Sequence, residues 1–290
     1  SIKMKNTLSI RLFFLFLCAF CLPLSAQRIT RQYNNVSMAD ALKELNTLQN
    51  KYAVNFIYDD LEDFRVSTTV HSLSVPDAVS RIVGFYPIAV TQKGNVILVE
   101  CTHKTQHHLT GRIIDEQGEA VPFANVLLLS PTDSTVIAGG VSNESGIFVV
   151  PYETAKVIAK VSYVGYKTFY RSFTTEQAGT IRLQPETQTL QAVKVKALRP
   201  QYKMAKGGMT IDVENSVLSQ VGTAQDVLGQ LPRVSVDGSG DVTVFAKGSP
   251  EIYINNKLVR GKQDLINLKS TDIKSVDVIT SPGAQYNATV

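Results

Sequence analysis

The chain has 290 residues, 44% hydrophobic and 19% charged. That is ordinary globular material, too long for one typical domain and suited to two or three small ones. Its net charge of +4 falls to +1, 26 basic residues against 25 acidic, once Lys3, Lys5 and Arg11 are assigned to a leader. A near-neutral chain gives no reason to propose nucleic acid as a partner.

The leader is residues 1–26. Lys3 and Lys5 precede an apolar run from Leu12 to Leu24, and Leu24-Ser25-Ala26 is a small-residue cleavage site before Gln27. Ala26 and Gln27 therefore flank the expected cut, and Met4 is a candidate start. The rival is a membrane anchor, but the run is shorter than the roughly 20 residues a spanning helix needs. Cleavage removes Cys18 and Cys21 and leaves Cys101 alone. An exported chain with one cysteine has no internal disulfide, so its folds must stand on their cores.

Residues 27–101 read as a first unit. Ile29–Tyr33 is strand-like. Ser37 is placed to cap a helix with Met38, Ala41, Leu45, Leu48 and Tyr52 at helical spacing. Val54–Tyr58 and Val66–Val70 read as strands. Ser74 caps a second helix with Val75, Ala78, Val79, Ile82 and Val83 on one face, and Ile88–Thr91 and Val96–Glu100 flank a Lys93-Gly94-Asn95 turn. Asp59-Asp60 and Glu62-Asp63 read as a solvated loop. The order is βαββαββ. Ser37–Leu45 followed by the Gly94–Val99 hairpin resembles the STN module of secretins and TonB-dependent transducers. That resemblance implies a periplasmic signalling surface able to contact an anti-sigma regulator.

Residues 102–108 read as a polar linker. With Cys101 it gathers His103, His107 and His108, and the only other histidine is His71. A metal site would need a partner cluster elsewhere, so no metal is assigned.

Residues 109–185 are nearly all β. Strand-like runs are Leu109–Ile114, Ala124–Leu129, Val136–Ala138, Ile147–Val150, Lys156–Val164, Thr168–Phe173 and Thr180–Leu183. Such spacing suggests a sandwich. The motifs Gly111–Val126, Asn143–Val150 and Ser162–Tyr166 resemble the carboxypeptidase-regulatory-like domain, a prealbumin-like β-sandwich without catalytic activity. The aromatics Tyr163, Tyr166, Phe169, Tyr170 and Phe173 are read as core or strand-face residues.

Residues 186–206 form a connector. Its Leu190-Gln191-Ala192-Val193-Lys194-Val195 run resembles the TonB box that precedes receptor plugs. An extended segment with Leu190, Val193 and Val195 can add as a strand to a partner's exposed edge. The alternative is that these residues are a last strand of the sandwich.

Residues 207–290 open with a helix capped by Thr223, with Asp226 in its first turn and Val227, Leu228 and Leu231 on one face, stopped by Pro232. Strands are expected at Val234–Val236, Val242–Phe245, Glu251–Asn255 and Val276–Val278. The runs DVLGQLPRVSVDGSGDVTV, IYINNKLV and DIKSVDVITSPGAQYNATV resemble the α+β plug domain of TonB-dependent outer-membrane receptors. Ala246-Lys247-Gly248 departs from that family, where an Arg-Gly pair is common. A plug implies a barrel of about 22 strands of ~10 residues, for which this chain has no room. The expectation is a fragment of a larger receptor or a truncated product.

No catalytic constellation is present. The sequence has no Gly-x-Ser-x-Gly and no His-Glu-x-x-His, and Gly261-Lys262 lacks the upstream glycine of a phosphate-binding loop. Asp237–Asp241 lacks the spacing and terminal glutamate of a calcium loop and reads as a hairpin turn. The overall expectation is a multidomain α+β and all-β chain, not an enzyme and without a cofactor. Its resemblances imply the periplasm-facing part of an outer-membrane receptor with a TonB-type energising partner. The alternative is a soluble periplasmic adaptor binding a regulator and TonB.

Overall fold

The structure is a computed structural model that describes residues 28–101, 105–186, 199–205, 208–245 and 248–279. It is mostly β-sheet with few helices. Ala26, Gln27, Leu190, Val193 and Val195 lie outside the described residues.

The N-terminal part runs β1 (Ile29–Ser37), α1 (Met38–Thr47), β2 (Ala53–Phe56), α2 (Tyr58–Leu61), β3 (Arg65–Leu73), α3 (Val75–Val83), β4 (Ile88–Lys93) and β5 (Val96–Cys101). Strands β1 and β3 pair antiparallel. In a second sheet β5 lies between a parallel β2 and an antiparallel β4. Helix α1 buries Met38, Ala41, Leu42 and Leu45, and α3 buries Val75, Ala78, Val79 and Ile82, so the 3.6-residue period of both ends in one core. Ser74 caps α3 by accepting the Asp77 N–H. Ser37 does not cap α1. It is the last residue of β1, opposite Arg65, and the Met38 N–H donates to Phe64 O instead. The strand expected to reach Tyr58 stops at Phe56. Tyr58 starts α2, which also takes in Asp59 and Asp60, and its hydroxyl donates to Asp40 Oδ1.

The central part is a two-sheet sandwich. Its strands are β6 (His107–Ile114), β7 (Asn125–Leu129), β8 (Val136–Val141), β9 (Ile147–Tyr152), β10 (Val157–Ser162), β11 (Phe169–Phe173) and β12 (Gln177–Arg182). One sheet has the order β11-β10-β7-β8 and the other β12-β6-β9, with β12 parallel to β6. Each expected run overlaps one of these strands. His107 and His108, expected in the linker, belong to β6 because they pair with Tyr152 and Pro151 of β9. Phe148, Leu109, Ile113, Val126, Leu128 and Ile181 are among the side chains that fill the space between the sheets.

The C-terminal part carries β13 (Tyr202–Ala205), β14 (Gly208–Asp212), α4 (Ala224–Gln230), β15 (Val234–Val236), β16 (Val242–Val244), β17 (Tyr253–Ile254), β18 (Lys257–Leu258), α5 (Lys262–Asn267) and β19 (Ser275–Ile279). Strand β14 lies between β13 and β19 in one antiparallel sheet. Residues 202–205, expected in the connector, are therefore a sheet strand. Thr223 and Asp226 form a reciprocal capping box on α4. The strand expected at Glu251–Asn255 is shorter. It turns at Asn255 and Asn256, both at positive φ, into β18, the turn chemistry that two-residue hairpins demand. The cores of the sandwich and the C-terminal part are one continuous cluster, running from Leu109 to Leu265.

Gly146 tests the sandwich. Its φ is +75°, and a Cβ there would sit 2.3 Å from Ile113 O, a carbonyl of β6. Gly146→Ala is expected to lower stability by about 2–3 kcal/mol, read as a lower urea midpoint in circular dichroism. An unchanged midpoint would show that this turn relaxes freely.

Candidate functional site: two seams and the Arg199 contact

The first seam joins the N-terminal part to the sandwich. It is built on the Asn143–Gly146 turn between β8 and β9. Asn143 Oδ1 accepts the N–H groups of Ser145 and Ile147, each at 3.0 Å, which shapes the turn. The same side chain donates from Nδ2 to Arg65 O at 3.0 Å. Next to it, Glu144 Oε1 accepts from Thr68 Oγ1 (2.8 Å) and Arg81 Nη2 (3.1 Å). Tyr86 also donates to Arg65 O, and burial drives its pKa far up. Phe85 meets Phe123 edge-on at 5.7 Å, and Val149 of β9 enters the N-terminal core. The crevice along this seam encloses about 40 Å³. That is far below the roughly 300 Å³ at which small-molecule pockets begin.

The histidines of β6 sit at the same end. His107 Nδ1 is 2.8 Å from Glu176 Oε1, and its ring lies on Tyr152. His108 lies 3.8 Å from Asp63 and edge-on to Phe64. Among the described residues no three His, Cys, Asp or Glu side chains converge as metal ligands. The Asp237 carboxylate is engaged by its own turn. It accepts from Asp241 N, Ser239 N and Ser239 Oγ, each at 2.9 Å. These bonds, the Asp241 amide first, hold its pKa below the usual value.

The second seam joins the sandwich to the C-terminal part. Asn125 starts β7 and is 4% exposed. Its Nδ2 donates to Leu231 O and its Oδ1 accepts the Arg233 N–H, both at 2.8 Å. The carboxamide thus pairs with the backbone on either side of Pro232, as a neighbouring strand would. Arg233 is held at φ +67°, and burial lowers its guanidinium pKa. The Phe245 ring lies on Gly139, where a Cβ would come within 2.8 Å of it. The rings of Phe123 and Tyr202 meet at 4.6 Å, tilted by 45°.

A third contact lies where the connector meets the sandwich. Arg199 Nη2 donates to Asp115 Oδ2 (2.9 Å) and to the Tyr166 hydroxyl (2.8 Å), and Nη1 donates to Ala120 O (3.4 Å). Asp115 is 1% exposed, and its Oδ1 accepts the Glu119 N–H. Burial pulls the Arg199 pKa down. The Tyr166 hydroxyl, and after it the charges of Tyr166, Tyr163 and Asp115, outweigh that and raise it. The buried Nε–H of Arg199 has no acceptor among the described residues. Tyr163 and Tyr202 line the site, and burial pushes Tyr163 up to about 12. Of the aromatic group expected in the core or on strand faces, Tyr163, Tyr166 and Phe173 are buried, Phe169 is partly so, and Tyr170 lies on the exposed face of its strand.

Sequence reasoning missed Asn125, Asp115 and Arg199 as structural partners. An asparagine heading the apolar run Asn125–Leu129 was a usable signal, because a buried amide must find partners. Arg199 gave none, being a lone arginine before a proline.

No family model matches the chain. TonB-dependent receptor P39 of Formosa agariphila is 25% identical over 190 residues, covering 60% of this chain and 17% of that receptor. The chain thus spans less than a fifth of that relative's length, and this distant, partial similarity supports kinship with TonB-dependent receptors. Among solved structures, a 9R-lipoxygenase from Cyanothece PCC8801 covers 49% of this chain and 24% of its own, at 10% identity and a TM-score of 0.24. That value is too low to indicate a shared fold. Among the described residues no helix is long and apolar enough to cross a membrane, which says nothing of a β-barrel.

The second seam and two buried tyrosines, Tyr33 in the N-terminal core and Tyr163 beside Arg199, can each be tested. Asn125→Leu leaves the Arg233 N–H buried without a partner, while Leu231 O keeps the Val234 N–H. At about 1–3 kcal/mol per orphaned group, it should cost roughly 2 kcal/mol in urea unfolding; a near-neutral result would mean water replaces the amide. Tyr33 and Tyr163 have folded pKa values raised from 10.0 to about 12. Their neutral forms therefore stabilise the fold fully below pH 10, and that contribution is lost as pH climbs toward 12. Phenolate absorbance and circular dichroism recorded together should show ionisation of these rings accompanying loss of structure, and Tyr163→Phe should reduce the alkaline loss.

Proposed function

We propose that this chain is the periplasm-facing, N-terminal part of a TonB-dependent outer-membrane receptor. In this reading residues 1–26 are a signal peptide, 27–101 an STN-like signalling module and 109–185 a carboxypeptidase-regulatory-like sandwich. Residues 186–206 carry a TonB box at Leu190, Val193 and Val195, and 207–290 are the plug. The work is binding and gating of uptake, without bond chemistry. The STN-like surface addresses an anti-sigma regulator, and the TonB box addresses a TonB-type energising protein.

The observation that carries the reading is the order of the motifs, together with the similarity to a TonB-dependent receptor. The described fold is compatible with it: a βαβ(α)βαββ part, a sandwich and an α+β part follow one another in that order. The mechanism asked of the connector is ordinary β-augmentation, in which backbone bonds give affinity and alternate side chains give fit.

The test is a pull-down of the exported chain by the periplasmic domain of a TonB-type protein. Changing both Val193→Asp and Val195→Asp should weaken capture at least tenfold. Unchanged capture, or the absence of the protein from outer-membrane fractions when it is expressed within its full reading frame, would sink the receptor reading.

A further inference from the structure

Phe123 belongs to the sandwich and touches both of its neighbours. Its ring meets Phe85 of the N-terminal part at 5.7 Å and Tyr202 of the C-terminal part at 4.6 Å. Phe85 follows Gly84, which ends α3, and packs against the cluster shared by the sandwich and the C-terminal part. Tyr202 opens β13. The backbone of Phe123 is held at φ +61°. It is the third residue of the turn Val121-Pro122-Phe123-Ala124. A positive φ at that position, after a proline, is ordinarily supplied by glycine or asparagine. For a bulky side chain it is a strained conformation.

Ser142, wholly buried at the end of β8, holds the turn there. Its carbonyl accepts the Phe123 N–H (2.9 Å), and its own N–H donates to Ala124 O (3.1 Å). Its hydroxyl accepts the Ala124 N–H (2.9 Å) and donates to Val121 O (2.8 Å), spanning the turn. Strain of this kind persists only where the surroundings over-determine it. Here those bonds and the two ring contacts do so together.

We propose that Phe123 couples the two seams. Its strained turn is stabilised jointly by Phe85 and Tyr202, so a change in the seating of the C-terminal part alters the hold on the N-terminal part. The coupling stands independently of the receptor reading.

The two states are two values of one backbone angle. When either flanking ring withdraws, part of what offsets the strain is lost. The extended region, where a phenylalanine is unstrained, then gains population. The turn is joined by short lengths of chain to both seams. Ser142 is followed by Asn143 and Glu144, which bind Arg65, Thr68 and Arg81. Phe123 stands two residues before Asn125, which binds the backbone of Leu231 and Arg233. Relaxation of φ carries the Phe123 N–H away from Ser142 O and loosens both ends at once. Such coupling is reciprocal, so loss of the Phe85 contact loosens the C-terminal seat by the same factor. Phe123 acts as a positioning residue; it touches no substrate.

Amide hydrogen exchange on the full chain tests this, with one seam altered and the other read. The N-terminal reporters flank Phe85: the Gly84 N–H, bound to Ser80 O, and the Tyr86 N–H, bound to Val83 O. The C-terminal reporter is the Asp212 N–H, bound to Gln201 O beside Tyr202. Ala53 and Val259, bound to Asn95 O and Ile252 O, are the references. Tyr202→Leu should raise exchange at Gly84 and Tyr86 by about threefold or more, the size an aromatic contact supports, and leave Ala53 unchanged. Phe85→Leu should do the same at Asp212 and leave Val259 unchanged. Phe123→Gly keeps the left-handed turn and removes the ring; in that background both cross-effects should vanish. Ser142→Ala removes the hydroxyl from the turn and should raise all three reporters together. If Tyr202→Leu does not fold, Phe85→Leu and Ser142→Ala decide the matter. Reporters that respond only to changes on their own side would overturn the coupling. Cross-effects that persist in Phe123→Gly would overturn the role of Phe123, because the coupling would then run by another route.

Discussion

The Asn125 carboxamide is the contact on which the joining of the sandwich to the C-terminal part depends. Pro232 interrupts the chain after α4, so the backbone there cannot continue a helix. The carbonyl of Leu231 and the N–H of Arg233 then have to be satisfied inside a core. Asn125 supplies a donor and an acceptor at matching spacing from the head of a buried strand. Once those groups are paired, the apolar residues on either side can merge into one cluster, and they do. Without the pairing, the orphaned Arg233 N–H would oppose burial by an amount comparable to the whole gain of burying a side chain. The same device appears in miniature in the N-terminal part, where the Asn46 amide spans the N–H and carbonyl of Val54.

The two seams are consequently unlike. The second is a shared apolar core stitched by one amide, with the Phe245 ring pressed on the backbone of Gly139. The first rests on the polar pairs of one turn, Asn143 to Arg65 and Glu144 to Thr68 and Arg81, with a small aromatic contact beside them. Glu144 is 35% exposed and Arg81 23%, so their attraction is screened, as in a surface pair worth at most about 1 kcal/mol. The N-terminal part also has its own closed core, to which the sandwich contributes Val149. Parts joined by modest polar interfaces move relative to one another by default.

Local chemistry made most elements legible. Alternation placed the sandwich strands, and Ser74 and the Thr223–Asp226 pair marked true helix starts. Errors arose where a partner distant in sequence decided the matter. Ser37 is a good capping residue by composition, yet its strand pairing with Arg65 claims it. His107 and His108 read as linker until β9 offers them a ladder. The hairpin at Asn255-Asn256 is written in its turn residues, and β14 in the alternation of Met209 and Ile211, which Val213 continues just past its end. The partners at the Arg199 contact lie 84 and 33 residues away in the chain, and no local pattern announces such a meeting. The residues read from sequence as the partner-binding box and the cleavage site lie outside the described residues.

The two contacts differ in what their loss would leave behind. Asp115 is 1% exposed, so withdrawing Arg199 would leave a buried carboxylate without its cation, a loss of about 3–5 kcal/mol. Separating the second seam would strand the Arg233 N–H, while Leu231 O keeps the Val234 N–H, and would expose part of a common core. The C-terminal part is therefore held on the sandwich in two different ways, by a buried charge pair at Arg199 and by shared apolar surface around Asn125.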